Sequence, residues 1–245
     1  MTVAERPARR PPERAKPAEL PVCDNLPVLD AIVPSEVWVA ESFGEPGDDW
    51  VLHPAEEAAV ASAGAKRRSE FAAVRACARR ALTSAGLGPG PVPRNQTGAP
   101  AWPSGVVGSM THCKGYRACA IGRAEAFGAI GIDAEPHEPL PGGVLLMVAN
   151  AAERAALACL AADGPRTCWD KLLFSAKEAV FKAWSPVARR WLGFTDAELT
   201  LDPGGSFTAR LLVPRPDEVP AAYRGRWIVD RGLIATAVVV PVSRP

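Results

Sequence analysis

Between Gly86 and Gly105 the chain carries five prolines, Pro89, Pro91, Pro93, Pro100 and Pro103. Each lacks the backbone N–H that a helix interior or a central strand requires, so no regular element crosses this stretch. It forces a stiff, extended connection between the elements on its two sides. Pro136, Pro139 and Pro141-Gly142-Gly143 mark a second such break. The 21 Gly and 25 Pro among 245 residues exceed the ~12% usual in globular chains, which assigns much of the chain to long loops.

Patterning fills the spaces between these breaks. Glu36 to Ala40 alternates around Val37 and Val39 as a strand does, and Pro54 with Glu56 and Glu57 forms the first turn of a helix that Gly64 breaks. From Ala65 to Ala85, Phe71, Val74, Ala78, Ala81 and Leu82 recur at helical spacing, which predicts an amphipathic helix ending at Gly86. Strands are expected near Val106 to Ser109, Tyr116 to Ile121 and Phe127 to Glu135, the last two as a hairpin. Helices are expected over Ala151 to Leu160 and Cys168 to Trp184, with Thr167 and Asp170 as a capping box for the second. Apolar runs at Ala209 to Val213, Trp227 to Val229 and Leu233 to Val240 predict an antiparallel sheet. The chain therefore reads as α+β, with an N-terminal half over residues 21–130 and a C-terminal half over residues 131–245. Residues 1–20 hold four prolines, eight charged residues and almost no large apolar side chains, and read as a disordered tail.

Charge and cysteine usage exclude several functions. Lys and Arg total 28 against 27 Asp and Glu, and a net charge of +1 argues against a nucleic-acid binder. No stretch approaches the ~18 consecutive apolar residues of a membrane span. Arg9-Arg10 is followed by Pro11-Pro12 and not by an apolar core, so neither a secretory nor a twin-arginine signal fits. Six cysteines at irregular spacing, with no C-x-x-C, predict reduced thiols in a cytoplasmic protein.

Four segments carry groups that could do chemistry. In Ala129-Ile130-Gly131-Ile132-Asp133-Ala134-Glu135-Pro136 the period of two turns Asp133 and Glu135 to one face of a strand end. Two adjacent carboxylates are relieved by solvation, by a shared proton or by a hard cation such as Mg²⁺. On the helix from Trp169 to Trp184, Glu178 lies opposite the apolar face, with Lys182 one turn on and with Phe174 and Phe181 flanking it. A solvated Glu-Lys pair and a cleft wall both fit that pattern. Gly108 to Tyr116, read as a loop between strands, places hydroxyls beside His112, which suits a phosphate or a structural histidine. On the first long helix, Arg68, Arg75 and Arg79 form a basic ridge bordering the apolar face, with Lys66 and Arg67 at its start.

Taken in order, these segments resemble the Sfp-type 4′-phosphopantetheinyl transferases. The resemblance rests on Lys66-Arg67-Arg68-x-x-Phe71 with Arg75 and Ala78-Arg79, on Trp102-Pro103 running to Gly108-Ser109-Met110-Thr111-His112-Cys113, and on Gly131-Ile132-Asp133-x-Glu135. Phe174-Ser175-Ala176-Lys177-Glu178-Ala179 with Lys182, and the trailing Trp191-Leu192-Gly193-Phe194, complete it. It implies two pseudo-symmetric α+β halves with the active site at their seam. It also implies transfer of 4′-phosphopantetheine from coenzyme A to a serine of an acyl or peptidyl carrier protein, with release of 3′,5′-ADP. Asp133, Glu135 and Glu178 would hold Mg²⁺, Thr111 and His112 would contact coenzyme A phosphates, and Lys177 and Lys182 would face the diphosphate. Arg67 and Arg75 would hold the 3′-phosphate end, although the ridge favours Arg68 over Arg67. Many members carry a basic residue just before the proline at Pro100, whereas Gly98-Ala99 has none here, and Arg94 is the substitute in reach.

The chemistry implied assigns Glu178, directly or through a metal-bound water, to the serine proton, and Lys182 to the leaving phosphate oxygen. The expected partners are apo carrier proteins of polyketide, nonribosomal-peptide or fatty-acid synthases, the first two classes foremost. Two halves in one chain imply a monomer. The alternatives are a catalytically silent relative that only binds carrier proteins and a phosphate hydrolase. The carboxylates present oppose the first, and the absence of a G-x-x-x-x-G-K-[ST] loop opposes the second.

Overall fold

The computed structural model of the chain describes residues 27–45, 50–164 and 166–242, so the tail expected over residues 1–20 lies outside the described residues. Strands β1 (Trp38–Phe43), β2 (Val106–Cys113) and β3 (Tyr116–Arg123) form an antiparallel sheet in the order β1-β3-β2. Strands β4 (Phe127–Pro136), β5 (Ala197–Asp202), β6 (Ser206–Leu211), β7 (Ala222–Asp230) and β8 (Leu233–Pro241) form a second, in the order β4-β8-β7-β6-β5. The helices are α1 (Pro54–Glu57), α2 (Ala65–Ser84), α3 (Val144–Val148), α4 (Ala151–Asp163) and α5 (Trp169–Ala188). The mixed α+β class expected from the sequence is the one observed.

Alternation sorts the strand residues into three cores. Cys119 and Ile121 of β3 pack on Val74, Cys77, Ala78, Ala81 and Leu82 of α2. Ala118 and Ala120, on the other face of β3, join Ile130, Ile132 and Ala134 of β4 and Ala235 and Ala237 of β8 in a cluster shared by the two sheets. The remaining face of β8, through Ile234 and Val238, meets Leu172, Leu173, Ala176, Val180 and Trp184 of α5. Both faces of β3, β4 and β8 are therefore covered, and Asp133 and Glu135 project from β4 on the side of α5.

Several expected boundaries differ. The hairpin joins β2 to β3 and not β3 to β4: β3 has β1 on one edge and β2 on the other, so neither edge is left for β4. Gly115, at φ +73°, takes the left-handed turn position between the paired residues Cys113 and Tyr116. Ser109 to Cys113 consequently lies within β2 and not in a loop. Thr167 and Asp170 do not cap α5. Its N-cap is Cys168 without a side-chain bond, and Asp170 accepts the Leu140 and Lys171 amides. A true capping box starts α4, between Asn150 and Glu153. Helix α5 runs one turn past Trp184, with Pro186 tolerated near its end, and a further strand, β5, lies ahead of the expected runs, with Ala197, Leu199 and Leu201 alternating inward along it.

Candidate active site

The site begins with a missing side chain. A Cβ on Gly131 would lie 2.0 Å from the Ala179 carbonyl oxygen and 2.7 Å from the Ala183 nitrogen, so only glycine lets β4 approach the backbone of α5 this closely. Two residues on, Asp133 is 4% exposed. Lys182 of α5 donates to its Oδ1 at 2.8 Å and to the Ile132 carbonyl at 3.1 Å. Lys171, near the start of the same helix, is 3.5 Å from Glu135. The period-of-two strand and the lysines of the helix thus meet as paired charges.

Strand β2 lies against β4 and joins it through side chains. Ser109 accepts the Ile132 N–H and Thr111 accepts the Ala134 N–H, each at 3.1 Å, and the Thr111 hydroxyl donates to Asp133 Oδ1 at 3.2 Å. Thr111 is buried and its only donor is committed, so its side chain holds Asp133 and has no proton left for a phosphate. Ser109, read from the sequence only as one of the hydroxyls near His112, is the other half of this stitch.

A cleft of about 340 Å³ opens beside Asp133, lined by Arg67, Arg75, Arg94, Thr111, His112, Asp133 and Lys182 among others. Seven of the ten residues singled out from the sequence share it. Arg67 donates to His112 Nε2 at 2.9 Å, whereas Arg68 turns away to the Val60 carbonyl and Arg79 to Glu56. Of the ridge Arg68, Arg75 and Arg79, only Arg75 reaches the cleft, and Arg67 rather than Arg68 stands beside it there. Arg75 and Arg94 both lie over the Phe71 ring, 4.0 and 5.3 Å from its centroid. The prolines that stiffen the connecting loop return Arg94 to this position, where it bridges to Pro100. Burial, then the charge of Arg67, draws the His112 pKa below its usual value.

Three candidates lie apart from this cleft. Lys177 is buried and its ammonium is satisfied by Glu153 Oε2 at 2.9 Å, the Val148 carbonyl at 2.7 Å and the Phe194 carbonyl at 2.6 Å. The expectation that it faces a diphosphate is therefore corrected: three acceptors hold it inside the C-terminal half. Glu178 is half-buried in a small cavity with Phe181, Trp191 and Phe194. Burial first, then Asp133, holds its carboxyl above the ordinary range, with Glu135 adding and Lys182 opposing. Glu135 is raised likewise, by burial and then by Asp133.

These shifts describe negative charge gathered in a poorly solvated place. The buried Asp133 Oδ2 has no hydrogen-bond partner, and oxygen donors of this kind suit a hard cation. Among the described residues, however, no three His, Cys, Asp or Glu side chains converge closely enough to form a metal cluster by themselves. Lys182 engages Asp133 and Lys171 engages Glu135, so two of the three carboxylates expected to hold Mg²⁺ are each paired with a lysine. The donor set still fits Mg²⁺, which commonly takes one or two protein carboxylates and fills its remaining positions with substrate phosphate and water.

Residues 55–122 match the family model for the 4′-phosphopantetheinyl transferase N-terminal domain, and residues 129–236 that of the 4′-phosphopantetheinyl transferase superfamily. The chain is 51% identical over 219 residues to the 4′-phosphopantetheinyl transferase Svp of Streptomyces mobaraensis, covering 87% of this chain and 89% of that one. It is 44% identical over 226 residues to PptT of Mycobacterium tuberculosis, covering 87% and 96%. Enterobactin synthase component D of Salmonella typhi is 32% identical over 166 residues, or 66% and 65%.

Proposed function

We propose, from the premise that this chain belongs to the 4′-phosphopantetheinyl transferase superfamily, that the cleft beside Asp133 is its active site. The protein is a transferase that moves phosphopantetheine from coenzyme A to a carrier protein. It is of the Sfp type, with its site built from both halves of a monomer in the cytoplasm. The observation that carries the site assignment is the Asp133–Lys182 pair beside a cleft lined by three arginines. Arg67, Arg75 and Arg94 supply fixed positive charge for the nucleotide end of coenzyme A, with Arg67 and Arg75 toward the 3′-phosphate. His112, kept neutral, accepts from Arg67 and orients it.

Asp133, Glu135 and Glu178 are the carboxylates that would hold Mg²⁺, which when bound offsets charge on the diphosphate oxygens. The carrier serine oxygen forms a bond to the phosphorus next to the pantetheine, and the bond from that phosphorus to 3′,5′-ADP breaks. Glu178, with its pKa drawn upward, takes the serine proton. Lys182 stabilises the departing phosphate oxygen. Thr111 holds Asp133 in place, and Lys177 serves the fold around Glu178. The acceptors are apo carriers of polyketide and peptide synthases; likeness to a protein named as an enterobactin synthase component supports carriers of synthases of that kind.

The test is incubation with coenzyme A, Mg²⁺ and an apo carrier protein, with intact-mass measurement of the product. The carrier should gain one phosphopantetheinyl group. E178Q and K182A should each slow the gain by about 10²–10⁴ at saturating Mg²⁺, the range for loss of an acid or base. Labelling at the wild-type rate by both variants contradicts the assignment, and a stable trimer on size exclusion contradicts the monomer.

A further inference from the structure

Glu56 has no exposed surface, and it lies in a four-residue helix that contributes no residue to the cleft. Its two oxygens hold three segments together. Oε1 accepts the Val92 N–H at 2.8 Å. Oε2 accepts from Arg79 Nη1 of α2 at 2.9 Å and from the His53 N–H at 3.2 Å. A helix cap needs only the last of these, and caps ordinarily stand in water. A buried carboxylate is costly unless its charge and its hydrogen bonds are matched, so the burial itself calls for a reason.

The reason is on the other side of Val92. Its carbonyl accepts from Arg75 Nε at 2.8 Å. Two residues on, Arg94 lies over the same Phe71 ring as Arg75. Arg75 is only 6% exposed, and Glu56 is the foremost charge opposing the effect of that burial on its guanidinium. The chain from Glu56 through Val92 to Arg75 is continuous and buried, and Arg94 follows two residues beyond Val92 at its exposed edge. Loop and helix are locked by one carboxylate, and both arginines that depend on it line the cleft.

We propose that Glu56 is a positioning residue for the nucleotide end of coenzyme A, fixing the segment 91–94 onto α2 and thereby the spacing of Arg75 and Arg94 across the cleft. This rests on the reading that Arg75 meets the 3′-phosphate. Glu56 touches no substrate; it acts by holding the guanidiniums where a phosphate is gripped without reorganisation.

The experiment compares coenzyme A with its analogue lacking the 3′-phosphate, by calorimetric titration of the full chain. Wild-type protein should bind coenzyme A more tightly than the analogue. E56Q, whose amide must face a donor with an N–H, should weaken coenzyme A about tenfold and leave the analogue unchanged. Its KM for coenzyme A should rise with kcat within about twofold of wild type, as expected for lost binding common to ground and transition states. A folded E56Q that keeps the wild-type preference overturns the role of Glu56 alone. Equal binding of the two compounds by the wild type overturns the Arg75 reading, and this inference with it. If E56Q does not fold, amide exchange of the wild type decides: coupling is reciprocal, so coenzyme A should protect the Val92 amide more than the analogue does. Equal protection overturns the proposal.

Discussion

His112 accepts from Arg67 at 2.9 Å and stands 3.7 Å from Glu70, with Lys182 and Asp133 acting on it from the other half. Burial and Arg67 outweigh Glu70, so its folded pKa lies below the unfolded value of about 6.5. The folded state then binds fewer protons than the unfolded one, and the stability due to this residue is present above that value and lost as pH falls below it. The excess unfolding free energy of wild type over His112→Asn, from urea titrations, should therefore shrink between about pH 7.5 and about pH 5.5. A difference that stays flat or grows contradicts a neutral imidazole. Lys177 makes a different prediction. Removing its ammonium in Lys177→Met leaves Glu153 buried with its charge unmatched, at a cost of about 3–5 kcal/mol. The loss should appear in denaturation and not as a selective rise in the KM for coenzyme A. That lysine shows where reading the sequence stops: its place beside Glu178 was visible, but its three acceptors come from α3, α4 and the loop at Phe194, far away in the chain.

At the scale of elements, β4 and α5 were legible because each carries its own period. The two-residue alternation around Ile130, Ile132 and Ala134 and the helical stripe from Trp169 to Ala183 both record which face is buried. What no period records is how closely two elements approach. Gly131 marks that distance, and Ala179 sets its partner. Gly131→Ala should push α5 off β4, costing about 1–3 kcal/mol as overpacking does, and should separate Lys182 from Asp133. Phosphopantetheine transfer should fall further than the stability loss explains, measured at a temperature where the variant is fully folded. Unchanged transfer by a folded Gly131→Ala contradicts the close-contact account. Pairing partners were equally hidden: the sequence shows β3 as a strand, yet only the fold shows both its edges occupied, which is why the hairpin falls at Gly115. Ser109 and Thr111 looked like loop hydroxyls, because side chains that bond across a seam leave no mark in local pattern.

For the whole molecule the question is whether two family-matched stretches behave as one folding unit. They share a central cluster in which Ala118 and Ala120 of β3 pack with Ile130, Ile132 and Ala134 of β4, so each half completes the core of the other. The Ser109 and Thr111 bonds add direction to a contact that burial already holds. Thr111→Val preserves shape but leaves the Ala134 N–H and Asp133 each short of a partner, at about 1–3 kcal/mol. Because the shared cluster persists, that loss should fall on both halves together. Hydrogen exchange read by mass spectrometry tests this: peptides from α2 and from α5 should lose the same protection free energy in the variant, as amides that exchange through a single global opening do. Loss confined to α2 would mean that the halves unfold separately and that the hydroxyl stitch, and not the common core, holds the cleft closed.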